Sequence, residues 1–171
     1  SGQGVKSISN EYLEVNAEPL NDKSVLVVED DVEVQKYIKT LLSQYFTVHT
    51  CADGEEALKF MEETHGELSL VVTDIMMPGI NGYELVRRMK AHEDWQVVPV
   101  VMLTAISDMD GKTKGIDLDI DAYISKPFDN RELVSTCCNL IQKYDLLKHR
   151  YAQVEVKTSA LPKVIKDEKD K

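Results

Sequence analysis

Apolar residues along the chain follow two alternating spacings. Short runs rich in Val, Ile and Leu occupy residues 24–28 (SVLVV), 46–50 (FTVHT), 69–73 (SLVVT), 98–103 (VPVVML) and 122–125 (AYIS), and each predicts a β-strand. Between these runs the spacing becomes helical. Within residues 32–45 (VEVQKYIKTLLSQY), Val34, Ile38, Leu41, Leu42 and Tyr45 fall on one face of a helix. Residues 53–66 (DGEEALKFMEETHG) open on an Asp cap and stop at Gly66. Residues 81–92 (NGYELVRRMKAH), 107–120 (SDMDGKTKGIDLDI) and 129–151 (DNRELVSTCCNLIQKYDLLKHRY) complete the helical set. Gly111 and Gly115 lower the propensity of the stretch 107–120.

Strands alternating with helices predict an α/β fold, a doubly wound parallel sheet covered on both faces. The first, third and fourth runs are continuously apolar, as in strands buried on both sides, whereas FTVHT and AYIS carry polar residues and suit the edges. Right-handed crossovers then favour the order 2-1-3-4-5 of flavodoxin-like (βα)5 folds. In that order the first and third strands are neighbours at the switch point, and ligands bind beyond their carboxyl ends.

Composition narrows the class. A chain of 171 residues accommodates one domain of roughly 120 to 150 residues plus tails. We place that domain at residues 23–150, with linkers at 1–22 and 151–171; the opening SGQG reads as an expression remnant. Twenty Lys and Arg against thirty Asp and Glu give a formal charge of −10, which argues against direct nucleic-acid binding by this segment. Cys51, Cys137 and Cys138 do not make an even disulfide set, so a reducing cytoplasm is expected. No run approaches the roughly 18 apolar residues that span a membrane, and no membrane contact by this segment is expected.

The chemistry lies at the predicted strand ends. The first strand runs into Glu29, Asp30 and Asp31, the third into Asp74, the fourth into Thr104 and the fifth into Lys126. Carboxylates gathered at one rim cannot all stay ionised without a compensating cation or proton. Mg²⁺, a hard ion that keeps several waters and binds few carboxylates together with phosphate oxygens, suits the set. Asp74 has the chemistry to attack phosphorus and become an aspartyl phosphate, with Lys126 neutralising charge and Thr104 donating a hydrogen bond. Taken singly, each residue has an ordinary reading: acids starting a helix, a turn residue before Pro78, a strand-end Thr, a solvated Lys. Only the set points to phosphoryl transfer.

The motifs VLVVEDD, DIMMPGINGYEL, PVVMLTA and DAYISKPF, in this order and at these intervals, resemble the receiver domains of two-component response regulators over about residues 24–145. The resemblance implies that Asp74 is the phosphoacceptor and that Glu29, Asp30, Asp74 and the Met76 backbone carbonyl hold Mg²⁺. It also implies that Thr104 and Tyr123 are the switch pair, that Lys126 is the family lysine, and that the Lys126–Pro127 bond is cis. Such a domain is a phosphoacceptor rather than an enzyme, supplied by a histidine kinase. Glu29 stands where many members have Asp. Met76 and Ile106 are apolar where side chains influence water access, so slow self-dephosphorylation is expected.

Other readings fit less well. An FMN site wants a glycine- and hydroxyl-rich phosphate loop where this chain has acids, and a haloacid-dehalogenase-type phosphatase wants a second acid at Met76. A calcium loop starting at Asp117 would need Gly at Ala122 and Glu at Phe128. The remaining alternative is a degenerate receiver that serves only as a docking or dimerisation module. The tails resemble the surroundings of receivers in bacterial hybrid proteins, with a histidine kinase before and an AraC-type helix-turn-helix output after. Leu133, Cys137, Leu140, Tyr144, Leu147, Tyr151 and Val154 form a heptad seam that predicts sheet packing first and possible homodimer contacts from Leu147 onward.

Overall fold

A computed structural model describes residues 20–64, 67–105 and 118–159. Its sheet has five parallel strands, β1 (Ser24–Val28), β2 (Thr47–Cys51), β3 (Leu70–Asp74), β4 (Val100–Thr104) and β5 (Ala122–Ser125), in the order β2-β1-β3-β4-β5. This is the expected order. β4 begins later than the apolar run because Pro99 has no N–H to give to a ladder; its carbonyl still accepts from Val71 N at 3.0 Å. β3 is shifted one residue towards the carboxyl end, so Asp74 closes the strand rather than starting the turn. The registers Val28↔Thr73, Asp74↔Leu103 and Thr104↔Ser125 line up the carboxyl ends of four strands along one rim.

Among the described residues the helices are α1 (Val32–Leu42), α2 (Gly54–Thr64), α3 (Gly82–Ala91) and α4 (Asn130–Ser159). Asp31 caps α1, its Oδ1 accepting from Glu33 N at 2.9 Å and Val34 N at 3.1 Å. α1 ends at Leu42, short of the expected Tyr45. The Leu42 carbonyl accepts from both Tyr45 N and Phe46 N, and this tight turn carries the Tyr45 ring into the core. At α2, Asp53 Oδ1 accepts from Glu56 N at 2.8 Å while the Glu56 carboxylate accepts from Ala52 N at 2.9 Å, a reciprocal cap. Asn81 caps α3 through Glu84 N. The expected stop at Gly66 and nearly all of the expected helix 107–120 lie outside the described residues.

The two-residue period of the strands divides their apolar side chains between the faces. Val25, Val27, Val72, Val101 and Leu103 pack with Ile38 and Leu42 of α1 and with Leu133, Cys137 and Ile141 of α4. Leu26, Val28, Val71, Val100 and Met102 face the other way, onto Ala57 and Met61 of α2 and Leu85, Val86 and Met89 of α3. β2 and β5 retain partly exposed residues, as edge strands should.

The chain divides into two compact units, Ser1–Ile141 and Gln142–Lys171. Leu133, Cys137 and Leu140 of the heptad seam belong to the core of the first. In the second, α4 continues to Ser159, with Leu146 and Leu147 exposed. The side chains of Tyr151 and Val154 lie outside the description.

Leu103 is fully buried beside Asp74 in the sheet. Leu103→Ala is expected to lower the unfolding free energy by about 2 to 5 kcal/mol, read as a reduced urea midpoint at unchanged slope.

Candidate functional site

The rim at the carboxyl ends of β1, β3, β4 and β5 brings together most of the residues singled out in the sequence. Glu29 directly follows β1 and is only 1% exposed. Its backbone N–H donates to the Cys51 carbonyl at 3.0 Å, which ties the end of β1 to the end of β2. Gln35 reinforces this junction: its side-chain amide donates to the Glu29 and Cys51 carbonyls at 3.0 and 3.1 Å. Sequence reasoning missed Gln35, and its only signal was an amide beside Val34 on a largely apolar helix face.

The acidic run divides its labour. Asp31 is the helix cap, while Glu29, Asp30 and Asp74 place carboxylate oxygens within 4.8 Å of one another. Asp74 Oδ1 accepts from Ile75 N at 2.8 Å, and Asp74 Oδ2 accepts from Lys126 Nζ at 2.9 Å. The same ammonium donates to Glu29 Oε1 at 2.8 Å. Lys126 is held in place by its own N–H, which donates to the Thr104 carbonyl at 2.6 Å, and it precedes a cis bond to Pro127.

The electrostatics follow from this crowding. Burial pushes the Glu29 carboxyl up to about 6, and Asp74 adds to that effect, against the lowering influence of Lys126. Burial pulls on the Lys126 ammonium too, but its bonds to Glu29 and Asp74 outweigh this and hold it above the ordinary lysine range. Three carboxylates facing one ammonium leave two negative charges among the described residues at this rim. An all-oxygen donor set with that deficit fits a hard divalent cation such as Mg²⁺.

Thr104 ends β4 fully buried, and its Oγ1 has no hydrogen-bond partner among the described residues. A buried hydroxyl in that position is suited to donate to an anion arriving at Asp74. The Tyr123 hydroxyl is also buried, and its phenol is pushed up to about 12, chiefly by that burial. Of the two methionines after Asp74, Met76 is 62% exposed beside the site while Met77 packs inward. Ile106 lies outside the described residues. The three cysteines are buried free thiols, and burial raises each of them out of the reactive range.

Two further features were not legible as site residues. Gly82 N–H donates to the Ile75 carbonyl at 2.8 Å, and a Cβ on Gly82 would fall onto the Asp74 carbonyl oxygen and close to Met102 Sδ. Beside Lys126, an open groove of about 600 Å³ is lined by Glu33, Val34, Tyr37, Pro127 and Phe128.

Two outcomes follow. Glu29 has a folded-state pKa above its ordinary 4.5, so its contribution to stability is fully present below pH 4.5 and is lost as pH rises through about 6. In EDTA, Glu29→Gln is therefore expected to stabilise the protein by roughly 1 to 2 kcal/mol near neutral pH, with the gain shrinking towards pH 5; denaturation across this range measures it. Gly82→Ala is expected to cost about 1 to 3 kcal/mol through overpacking and to shift the Ile75 amide resonance, because the added methyl displaces the Asp74 carbonyl.

Residues 25–137 match the response regulator receiver domain family. A probable transcriptional regulator, ycf27, of Cyanophora paradoxa is 36% identical over 125 residues, covering 72% of this chain and 50% of that protein. Hybrid signal transduction histidine kinase D of Dictyostelium discoideum is 35% identical over 141 residues, 81% of this chain and 9% of that protein. The solved structure of a response regulator receiver domain protein from Clostridium thermocellum aligns at TM-score 0.68 and 26% identity, covering 73% of this chain and 98% of that one. The chain thus spans about half the length of the first curated relatives it matches. With the fold, the strand order and the acid rim in agreement with that match, the chain belongs to the response regulator receiver domain family.

Proposed function

We propose that Asp74 accepts a phosphoryl group from the phosphohistidine of a histidine kinase and that the modified domain switches an output. The observation that carries this reading is the Asp74 carboxylate itself. One of its oxygens is oriented by Ile75 N–H and the other by the Lys126 ammonium, within reach of Glu29 and Asp30 and one strand from the buried Thr104 hydroxyl. In the transfer, a carboxylate oxygen of Asp74 bonds to phosphorus as the bond from phosphorus to the donor nitrogen breaks, and the electron pair leaves with that nitrogen.

Lys126 neutralises charge that would otherwise repel the incoming anion, and its two carboxylate bonds keep it aimed at the rim. Glu29, Asp30, Asp74 and the Met76 carbonyl would hold Mg²⁺, which supplies further neutralisation of phosphoryl oxygens when bound. Thr104 donates to the acquired phosphoryl group, and Tyr123 repacks with it, altering the surface around β4 and β5. Exposed, apolar Met76 cannot orient a water, which supports a long-lived phosphoryl form.

The wider setting we propose is a cytoplasmic hybrid or transcriptional regulator. The names of the relatives favour it: one is a transcriptional regulator and another a hybrid kinase. An AraC-type output and a homodimer through the α4 extension remain part of this proposal.

Mass spectrometry after acetyl phosphate treatment in Mg²⁺ tests it. Wild type is expected to gain one phosphoryl adduct and Asp74→Asn none, while Lys126→Ala stays folded but loses the conformational response to beryllofluoride. Absence of the adduct from wild type would favour a docking module instead.

A further inference from the structure

Gln35 lies in the first turn of α1, where its backbone N–H donates to the Asp31 carbonyl at 2.9 Å. From there its half-buried side chain reaches back to the acid rim. Nε2 donates to the Glu29 carbonyl at 3.0 Å and to the Cys51 carbonyl at 3.1 Å, and an amide nitrogen carries a proton for each. The two acceptors are not in the same position. The Cys51 carbonyl also receives the Glu29 N–H at 3.0 Å, whereas the Glu29 carbonyl lies one residue past β1, whose pairings with β2 and β3 stop at Val28. Gln35 therefore supplies a donor where the ladder has ended. The peptide unit that it holds is the one joining Glu29 to Asp30. Because that unit is planar, fixing its carbonyl also sets the direction in which the chain leaves towards Asp30. At the far end of the Glu29 side chain, Oε1 accepts from Lys126 Nζ at 2.8 Å and Oε2 from Asp31 N at 3.3 Å. Glu29 is thus held at both its root and its tip.

We infer that Gln35 is a positioning residue of the metal site: its side-chain amide fixes the Glu29–Asp30 peptide and so sets the spacing of the two carboxylates offered to Mg²⁺. This rests on the reading that Glu29 and Asp30 hold that ion. Gln35 brings no charge to the rim, so its contribution is geometric. A Glu29 carbonyl that loses the amide donor turns towards water, and the peptide plane turns with it. Mg²⁺ demands near-ideal octahedral coordination, while the larger Ca²⁺ accepts flexible arrangements of oxygen ligands. Loosening the acid pair therefore penalises the smaller ion more, and Gln35 acts on selectivity as well as affinity.

The test uses Gln35→Met, which keeps the length of the side chain and removes its donor. Calorimetric titration with Mg²⁺ and with Ca²⁺ is expected to show Mg²⁺ affinity about tenfold lower than in wild type and Ca²⁺ affinity changed by less than about threefold. In metal-free protein, the residual dipolar coupling of the Asp30 N–H is expected to change while those of Val27 and Val28, inside the ladder, stay as in wild type. Gln35→Lys, whose ammonium again offers donors to both carbonyls, is expected to bring the Asp30 coupling back towards the wild-type value. Equal losses for the two ions, or an Asp30 coupling that Gln35→Met leaves unchanged, would overturn the inference. Wild type that binds neither ion would defeat the metal reading, and the Asp30 coupling would still decide whether Gln35 holds the peptide.

Discussion

Lys126 brings one ammonium to a rim where the sheet gathers three carboxylates, and the geometry of the site hangs on that imbalance. Its contacts of 2.8 and 2.9 Å to Glu29 and Asp74 allow two acids with little solvent to stand close together. Both acids therefore draw their charge compensation from the same lysine. The compensation is also incomplete, and the oxygen donors left at the rim have the charge and chemistry that suit a hard divalent cation.

The parallel sheet makes this crowding possible. Strands that run the same way end on the same side, so residues far apart in sequence meet without any loop having to reach for them. The registers set the detail: Asp74 pairs with Leu103 and Thr104 with Ser125, so Lys126 emerges next to the Thr104 carbonyl that anchors it. Packing on both faces holds these registers. A slip of one residue would exchange the Val27 and Val28 faces and carry Glu29 away from the Cys51 carbonyl that anchors it.

Much of this architecture was legible because it rests on local periodicity and composition. The runs SVLVV and AYIS matched β1 and β5 in full, and the polar residues in FTVHT and AYIS marked the edges. The ends of elements were less legible. Pro99 delays β4 by withholding a donor, and Tyr45 leaves the helical pattern because the turn after Leu42 buries its ring. Both outcomes turn on hydrogen-bond partners supplied from elsewhere in the fold. The site divides in the same way. Glu29, Asp30, Asp74, Thr104 and Lys126 could be picked out because their residue types at successive strand ends are chemically complementary. Gln35 and Gly82 could not, because an amide and a glycine in helical segments carry no chemical signal until their neighbours are known.

The sequence by itself determined the fold class, the strand order and the set of side chains delivered to one rim, since hydrophobic period and strand-end chemistry are written locally along the chain. Tertiary structure decided which acid of Glu29-Asp30-Asp31 became a helix cap, which two carboxylates share Lys126, and that Thr104 buries its hydroxyl at the end of β4. Those outcomes depend on distances between residues remote in the chain, and such distances are set only when both faces of the sheet are packed.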